Sequence, residues 1–136
     1  MSFGSASFGS ASFDSASFDS KIPFDADCLF CKMIVGEIPV ELVAESEWAI
    51  VIRDINPTAP MHLLAIPKRH CATVRELADA DTSLVGELVL LADQAAKKQG
   101  NEDYRLIFNT GSGAGQSIFH VHGHVIGGKQ LDWNPA

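Results

Sequence analysis

Residues 28–35, Cys-Leu-Phe-Cys-Lys-Met-Ile-Val, read as one short helix. Asp25 or Asp27 stands near its start as cap or dipole partner, and Gly36 stops it. Val40 to Ala44 and Trp48 to Arg53 then read as two strands around the polar turn Glu45-Ser46-Glu47. Asp54 to Pro60, with Pro57 and Pro60, marks an irregular loop, and His62 to Ile66 is a third strand ended by Pro67. Residues 79–99 form the long helix: Leu84, Leu88, Leu91 and Ala95 make one apolar stripe. Asp79, Asp81 or Thr82 can cap its start, while Lys97, Lys98 and Gly100 suit its end. Tyr104 to Asn109 and Ser117 to Ile126 are the last strands, joined through the glycine-rich loop 111–115. Strands joined by short links, with helices apart, predict an antiparallel sheet and an α+β fold.

Residues 2–21 fit neither rhythm. They repeat Ser-Phe-Gly/Asp-Ser-Ala/Lys four times, with Phe3, Phe8, Phe13 and Phe18 at a period of five. The composition predicts a flexible tail over 1–21 and one domain over 22–136. An extension that grips a partner through its phenylalanines is the other reading. The net charge of −7 argues against a nucleic-acid-coating protein, although it does not bar a pocket for a single nucleotide. No apolar run is long enough for a membrane span, and no secretory signal is visible. Three cysteines are an odd count for a disulfide scaffold, so a cytoplasmic protein with reduced or metal-bound cysteines is expected.

The segment His120-Val121-His122-Gly123-His124-Val125-Ile126 carries the densest chemistry. Strand alternation puts the three imidazoles on one face, with Val121 and Val125 on the other. Such a row is poor core and poor chance surface, and points to a site. The loop ahead of it, Asn109 to Ser117, has the glycines of an anion cradle without the lysine of a P-loop. Cys28-x-x-Cys31 offers two thiolates on one helical turn, a metal half-site that two distant histidines would complete. Spacing alone leaves open which two. A redox pair is disfavoured because no βαβ pattern surrounds it. Cys71 is expected to be an inert buried thiol.

Taken together, CLFCKMIVGEIP at 28–39, RDINPTAP at 53–60, HLLAIPKRH at 62–70 and NTGSGAGQSIFHVHGHVI at 109–126 resemble the histidine-triad (HIT) superfamily. The Gly127-Gly128 pair and Trp133 resemble its Hint branch of nucleoside phosphoramidases. The resemblance implies a five-stranded antiparallel sheet with one long and one short helix, and a homodimer that extends the sheet. It implies His122 as nucleophile, His124 as a phosphate-holding residue, Ser117 near the leaving amine and His62 in a hydrogen-bonded relay. It also implies Asp54 on the ribose, Ile55 in the base pocket, and Asn109, Gly115 and Gln116 around the phosphate. Zinc-carrying members match at Cys28, Cys31, His70 and His120, a closed structural zinc site. One departure is Gly123, where the family usually has a bulky apolar residue on the face opposite the histidines.

From these roles the expected reaction is hydrolysis of a purine nucleoside 5′-phosphoramidate, releasing AMP or GMP through a nucleotidyl-histidine on His122, with no magnesium requirement. Two rivals stand beside it. One is a dinucleoside polyphosphate hydrolase or nucleotidyl transferase on the same fold. The other is a nucleotide-binding regulatory protein whose catalysis is incidental. Neither a nucleic-acid nor a membrane partner is expected.

Overall fold

A computed structural model describes residues 23–134; the repeat at 2–21 lies outside them. The helix α1 spans Leu29–Ile34, shorter than the apolar run. Its cap is Cys28 rather than either aspartate: the Cys28 sulfur accepts from the Cys31 N–H at 3.4 Å. Asp25 instead shapes the turn before it, its carboxylate accepting the Asp27 N–H at 2.8 Å. Gly36 does end the helix, with φ +85°.

The sheet is β1 (Ala44–Glu45), β2 (Ala49–Arg53), β3 (Met61–Pro67), β4 (Tyr104–Phe108) and β5 (Gly123–Gly127), in the order β1-β2-β3-β5-β4, antiparallel throughout. This is the expected α+β architecture. Its first and last strands are shorter than the patterning predicts. Ser46 takes the Trp48 and Ala49 N–H groups on its hydroxyl and turns the chain after Glu45. Residues 117–122 leave the ladder altogether.

Alternation along the central strands feeds two cores. Ala49, Val51, Leu63, Ala65 and Val125 pack on one face. Ile50, Ile52, Leu64 and Ile66 pack on the other, against Phe30 and Ile34 of α1. All seven residues of β3 are therefore buried, which explains the apolar run from Leu63 to Ile66.

The predicted helix over 79–99 is α3 (Thr82–Lys98), and a further helix that the patterning did not predict, α2 (Val74–Ala80), precedes it. Asp81 separates them in an extended conformation (φ −168°, ψ 103°) and caps α3 through the Ser83 N–H. Thr73-x-x-Glu76 opens α2, the Thr73 hydroxyl accepting from Glu76 N–H at 3.2 Å. The stripe Leu84, Leu88, Leu91 and Ala95 is buried against the first face of the sheet, as its period requires. Gly123 also finds its reason there. A Cβ at this position would stand 2.8 Å from Leu106 and 3.0 Å from Phe108, which fill the volume a larger residue would take.

Candidate functional site

The histidine segment keeps its alternation although regular strand pairing begins only at Gly123. Val121 and Val125 belong to the helix-side core. His120 and His122 instead meet Phe30 of the opposite face, at ring-centroid distances of 5.8 and 5.1 Å. His124 adjoins His122 at 5.1 Å. The three rings thus share a side, but they enter two different clusters.

The first cluster is closed. His120 is fully buried, and Cys28, Cys31 and His70 surround it. Its Nδ1 lies 3.3 Å from the Cys28 sulfur, 3.5 Å from the Cys31 sulfur and 3.1 Å from His70 Nδ1. Cys31 and His70 are 3.3 Å apart. Four-coordinate binding with metal–sulfur bonds near 2.3 Å and metal–nitrogen bonds near 2.0 Å puts neighbouring ligand atoms roughly 3.3–3.8 Å apart. The observed separations fit that shell closely. The ring orientation fits as well: His120 Nε2 lies 2.8 Å from the Pro67 carbonyl, which can only accept. Nε2 therefore carries the hydrogen and Nδ1 the lone pair that faces the thiols. Burial pushes the Cys31 thiol up to about 12 and pulls His120 down to about 4. A cation here would offset what burial costs the thiolate. The Asp25 N–H, donating to the Cys31 sulfur at 3.4 Å, also favours charge on that sulfur. These residues could hold a metal ion. A cleft of about 300 Å³, lined in part by Cys28, His70, Ser117 and Phe119, opens to the cluster.

The second cluster is open. His62 and His124 meet at 2.9 Å between Nε2 and Nδ1, with the Asp54 carboxylate 3.3 Å from His62 Nε2. The Thr58 N–H donates to His62 Nδ1 at 3.1 Å. In neutral His62 the hydrogen is therefore on Nε2, aimed at His124 Nδ1, and neutral His124 carries its own hydrogen on Nε2. Burial first, then the neighbouring His122 and His62, holds His124 below the usual imidazole range. His122 Nδ1 lies 2.8 Å from the His120 carbonyl and so donates to it. That leaves the lone pair on His122 Nε2, which has no protein partner among the described residues.

The glycine loop follows β4, whose last residue, Phe108, pairs with Gly123 between His122 and His124. Gly111 and Gly115 both take φ +91°, and Ser112–Ala114 forms a single 3₁₀ turn between them. Gln116 is buried, with its side chain spent on the loop: Oε1 accepts the Gly111 N–H at 2.9 Å, and Nε2 donates to the Ala72 and Ile118 carbonyls. Asn109 donates to the Ala114 carbonyl at 2.9 Å. Both residues brace the cradle before any ligand enters. Ser117 is exposed. Asp54 accepts the Asn56 N–H at 2.8 Å as well as facing His62. Ile55 is 91% exposed, so the single chain encloses no base pocket around it. Three contributors escaped sequence reasoning: Phe30, the Thr58 N–H and the Pro67 carbonyl. Only Phe30 had a signal, its place between the two cysteines. Cys71 is buried as expected, and burial pushes its thiol up.

Known proteins agree with this architecture. A family model described as the scavenger mRNA decapping enzyme C-terminal binding domain matches residues 27–133. An uncharacterized HIT-like protein of Synechococcus elongatus is 39% identical over 111 residues, 81% of this chain and 97% of its own length. The crystal structure of a HIT family hydrolase from Legionella pneumophila Philadelphia 1 is 44% identical, with a TM-score of 0.76 over 81% of this chain and all of that one. A histidine triad nucleotide-binding protein from Candida albicans is 31% identical, with a TM-score of 0.63 over 79% of this chain and 83% of that one.

Proposed function

The chain belongs to the histidine-triad (HIT)-like family, and on that premise we propose that it is a Hint-type hydrolase of purine nucleoside 5′-phosphoramidates. One observation carries the reading: the bond from His122 Nδ1–H to the His120 carbonyl, which leaves the Nε2 lone pair free to attack. Attack on the α-phosphorus expels the amine, which takes up a proton, and leaves a nucleotidyl-histidine. Water then cleaves that bond and releases AMP or GMP. His124, neutral and protonated on Nε2, donates to a phosphoryl oxygen as charge builds there, and His62 holds it in that tautomer. Ser117 serves the departing amine, Asp54 the ribose and Ile55 the base. Gly115, Asn109 and Gln116 set the shape of the loop around the phosphate. The scheme calls for no magnesium.

Cys28, Cys31, His70 and His120 would hold zinc. Bound there, a four-coordinate zinc has no open position and supplies a fixed anchor rather than a Lewis acid. The proposal includes a homodimer, and two surfaces support it. β4 leaves one edge unpaired in the single chain, and α3 exposes Val89 and Leu90. Pairing β4 with its copy would extend the sheet. The related Candida albicans protein, described as nucleotide-binding, and the Legionella hydrolase support a nucleotide ligand and hydrolysis. No helix among the described residues is long and apolar enough to cross a membrane.

The matching family's description names a decapping enzyme, which favours a second reading: attack on a pyrophosphate linkage, as in a dinucleoside polyphosphate. The leaving group separates the two. The test is steady-state hydrolysis of adenosine 5′-phosphoramidate beside a diadenosine polyphosphate. Preferred release of AMP from the phosphoramidate supports the proposal. Preference for the polyphosphate replaces it with the second reading. Tight nucleotide binding without turnover of either makes the protein a binding module.

A further inference from the structure

Neither the phenylalanine repeat at 2–21 nor the apolar wall of the cleft beside the closed cluster has a part in the proposed reaction. The chain brings the two together. The described residues begin at Pro23, and backbone groups pin that end. The Pro23 carbonyl accepts the His70 N–H at 2.9 Å, and the Asp25 carbonyl accepts the Cys28 N–H at 3.0 Å. The Asp25 N–H donates to the Cys31 sulfur at 3.4 Å. His70, Cys28 and Asp25 all line the cleft, so the repeat joins the domain at the cleft's rim. The wall is apolar and open: Leu29 is 42% exposed, Phe119 is 47% exposed and Ile118 is half-buried. A cavity of roughly 150 Å³ takes a benzene ring, and this cleft holds about 300 Å³. Its rim carries the exposed carboxylates of Asp25 and Asp27, which suit Lys21, the one lysine or arginine among residues 1–22. Phe18 stands five residues before Pro23, a reach of up to roughly 17 Å from that anchor. Closing a loop costs more as it lengthens, so Phe18 returns to the rim at a lower cost than Phe13, Phe8 or Phe3.

We propose that the N-terminal repeat folds back on its own domain and seats Phe18 in this cleft, against Leu29, Ile118 and Phe119. Ser117 shares the cleft, so a seated Phe18 covers it and screens the site against amines that carry a bulky substituent. The screening rests on the phosphoramidate reading, in which Ser117 serves the departing amine. The docking itself does not.

The experiment uses the full chain, as wild type and as Phe18→Ala, with isotope-labelled leucine and isoleucine methyls. In the wild type, nuclear Overhauser contacts are expected from the Phe18 ring to the methyls of Leu29 and Ile118. Phe18→Ala should remove them and shift those methyls, while the core methyls of Leu88 and Leu91 stay in place and certify the fold. Absent contacts and unmoved Leu29 and Ile118 methyls overturn the proposal. So do contacts from Phe3, Phe8 or Phe13 in place of Phe18. Mixing methyl-labelled chains with chains labelled only in phenylalanine identifies the source of the ring. Contacts between differently labelled chains make a second copy the occupant and overturn the fold-back. Steady-state kinetics then compares adenosine 5′-phosphoramidate with its N-benzyl derivative. Phe18→Ala should lower KM for the N-benzyl substrate alone by about two- to fivefold, as expected when the cleft is open in roughly a half to a fifth of molecules. Equal KM values in wild type and variant, with the contacts present, overturn the screening role. Contacts in a protein that turns over neither substrate support the fold-back and reject the substrate reading.

Discussion

The two histidine clusters are built from the same side chain and lie a few residues apart, yet they suit opposite tasks. His120 is fully buried, meets two thiols and a second imidazole, and has both ring nitrogens engaged. His122 and His124 are half-buried, and neither Nε2 meets a protein partner among the described residues. A closed set of soft and nitrogen donors favours a held ion. An open pair of rings, with hydrogen positions set by a carbonyl and by His62, favours proton and phosphoryl chemistry. Burial and the partner of the second ring nitrogen thus divide the labour that residue type leaves undivided. If the division is right, substitutions in one cluster should remove turnover and spare the fold, and substitutions in the other should do the reverse first.

The largest effect is expected at His122. His122→Ala should lower kcat for the phosphoramidate by about 10⁴-fold or more. Its ring is half-buried and not a member of either core, so the melting temperature should stay within a few degrees. A variant with a tenth of the wild-type kcat would dismiss His122 as the nucleophile. Cys31→Ser comes next and should show the opposite signature. The thiol is fully buried, and its loss leaves His70 and His120 without a common ligand. The melting temperature is expected to fall by more than about 10 °C, with metal content falling in step. Equal melting curves would show that the closed cluster contributes nothing to stability.

How much of this division the sequence displays differs between the two clusters. The alternation His-x-His-x-His places three rings on one side, and it holds even where regular pairing has ended, because Val121 still needs the helix-side core. Alternation says nothing of depth, however, and depth is what separates His120 from His122. The partners of Cys28 and Cys31 lie 39 to 92 residues away in sequence. No local rhythm encodes that distance, and the resemblance to known sequences supplied the ligand set. Asp81 is one of the caps that the sequence offers for the long helix, but the helix α2 before it was missed. The apolar stripe of α3 and the residues of α2 run on without a glycine or proline between them. Only a capping aspartate in an extended conformation marks the break. Gln116 and Asn109 carried signals of polarity alone, and those could not tell a ligand contact from a brace within the loop.

A smaller change sharpens the comparison within the open cluster. His62 touches neither metal ligands nor, in the proposed scheme, the phosphorus; it sets the tautomer of His124. His62→Ala should reduce kcat by about 10- to 100-fold with a smaller change in KM. A loss confined to KM would instead make His62 part of the binding surface.

The smallest effect concerns pH, and its sign tests which neighbour dominates at His124. Facing it are His62 and His122, which disfavour a positive charge, and Asp54, which favours one. Burial and the two imidazoles outweigh the carboxylate, so the folded state holds His124 below the ordinary imidazole range. The unfolded chain then takes up this proton first as pH falls. The stability contributed is complete above about pH 6.5 and declines as the pH drops through the imidazole range. Urea unfolding of wild type and His124→Gln from about pH 7.5 to 5 isolates the term, since glutamine cannot titrate. The wild type should lose stability more steeply with falling pH, and the curves should run parallel above pH 7. A wild type that gains on the variant as pH falls would mean that Asp54 prevails. His124 would then be cationic when substrate arrives, and the open cluster would hold phosphate by charge rather than by a neutral N–H.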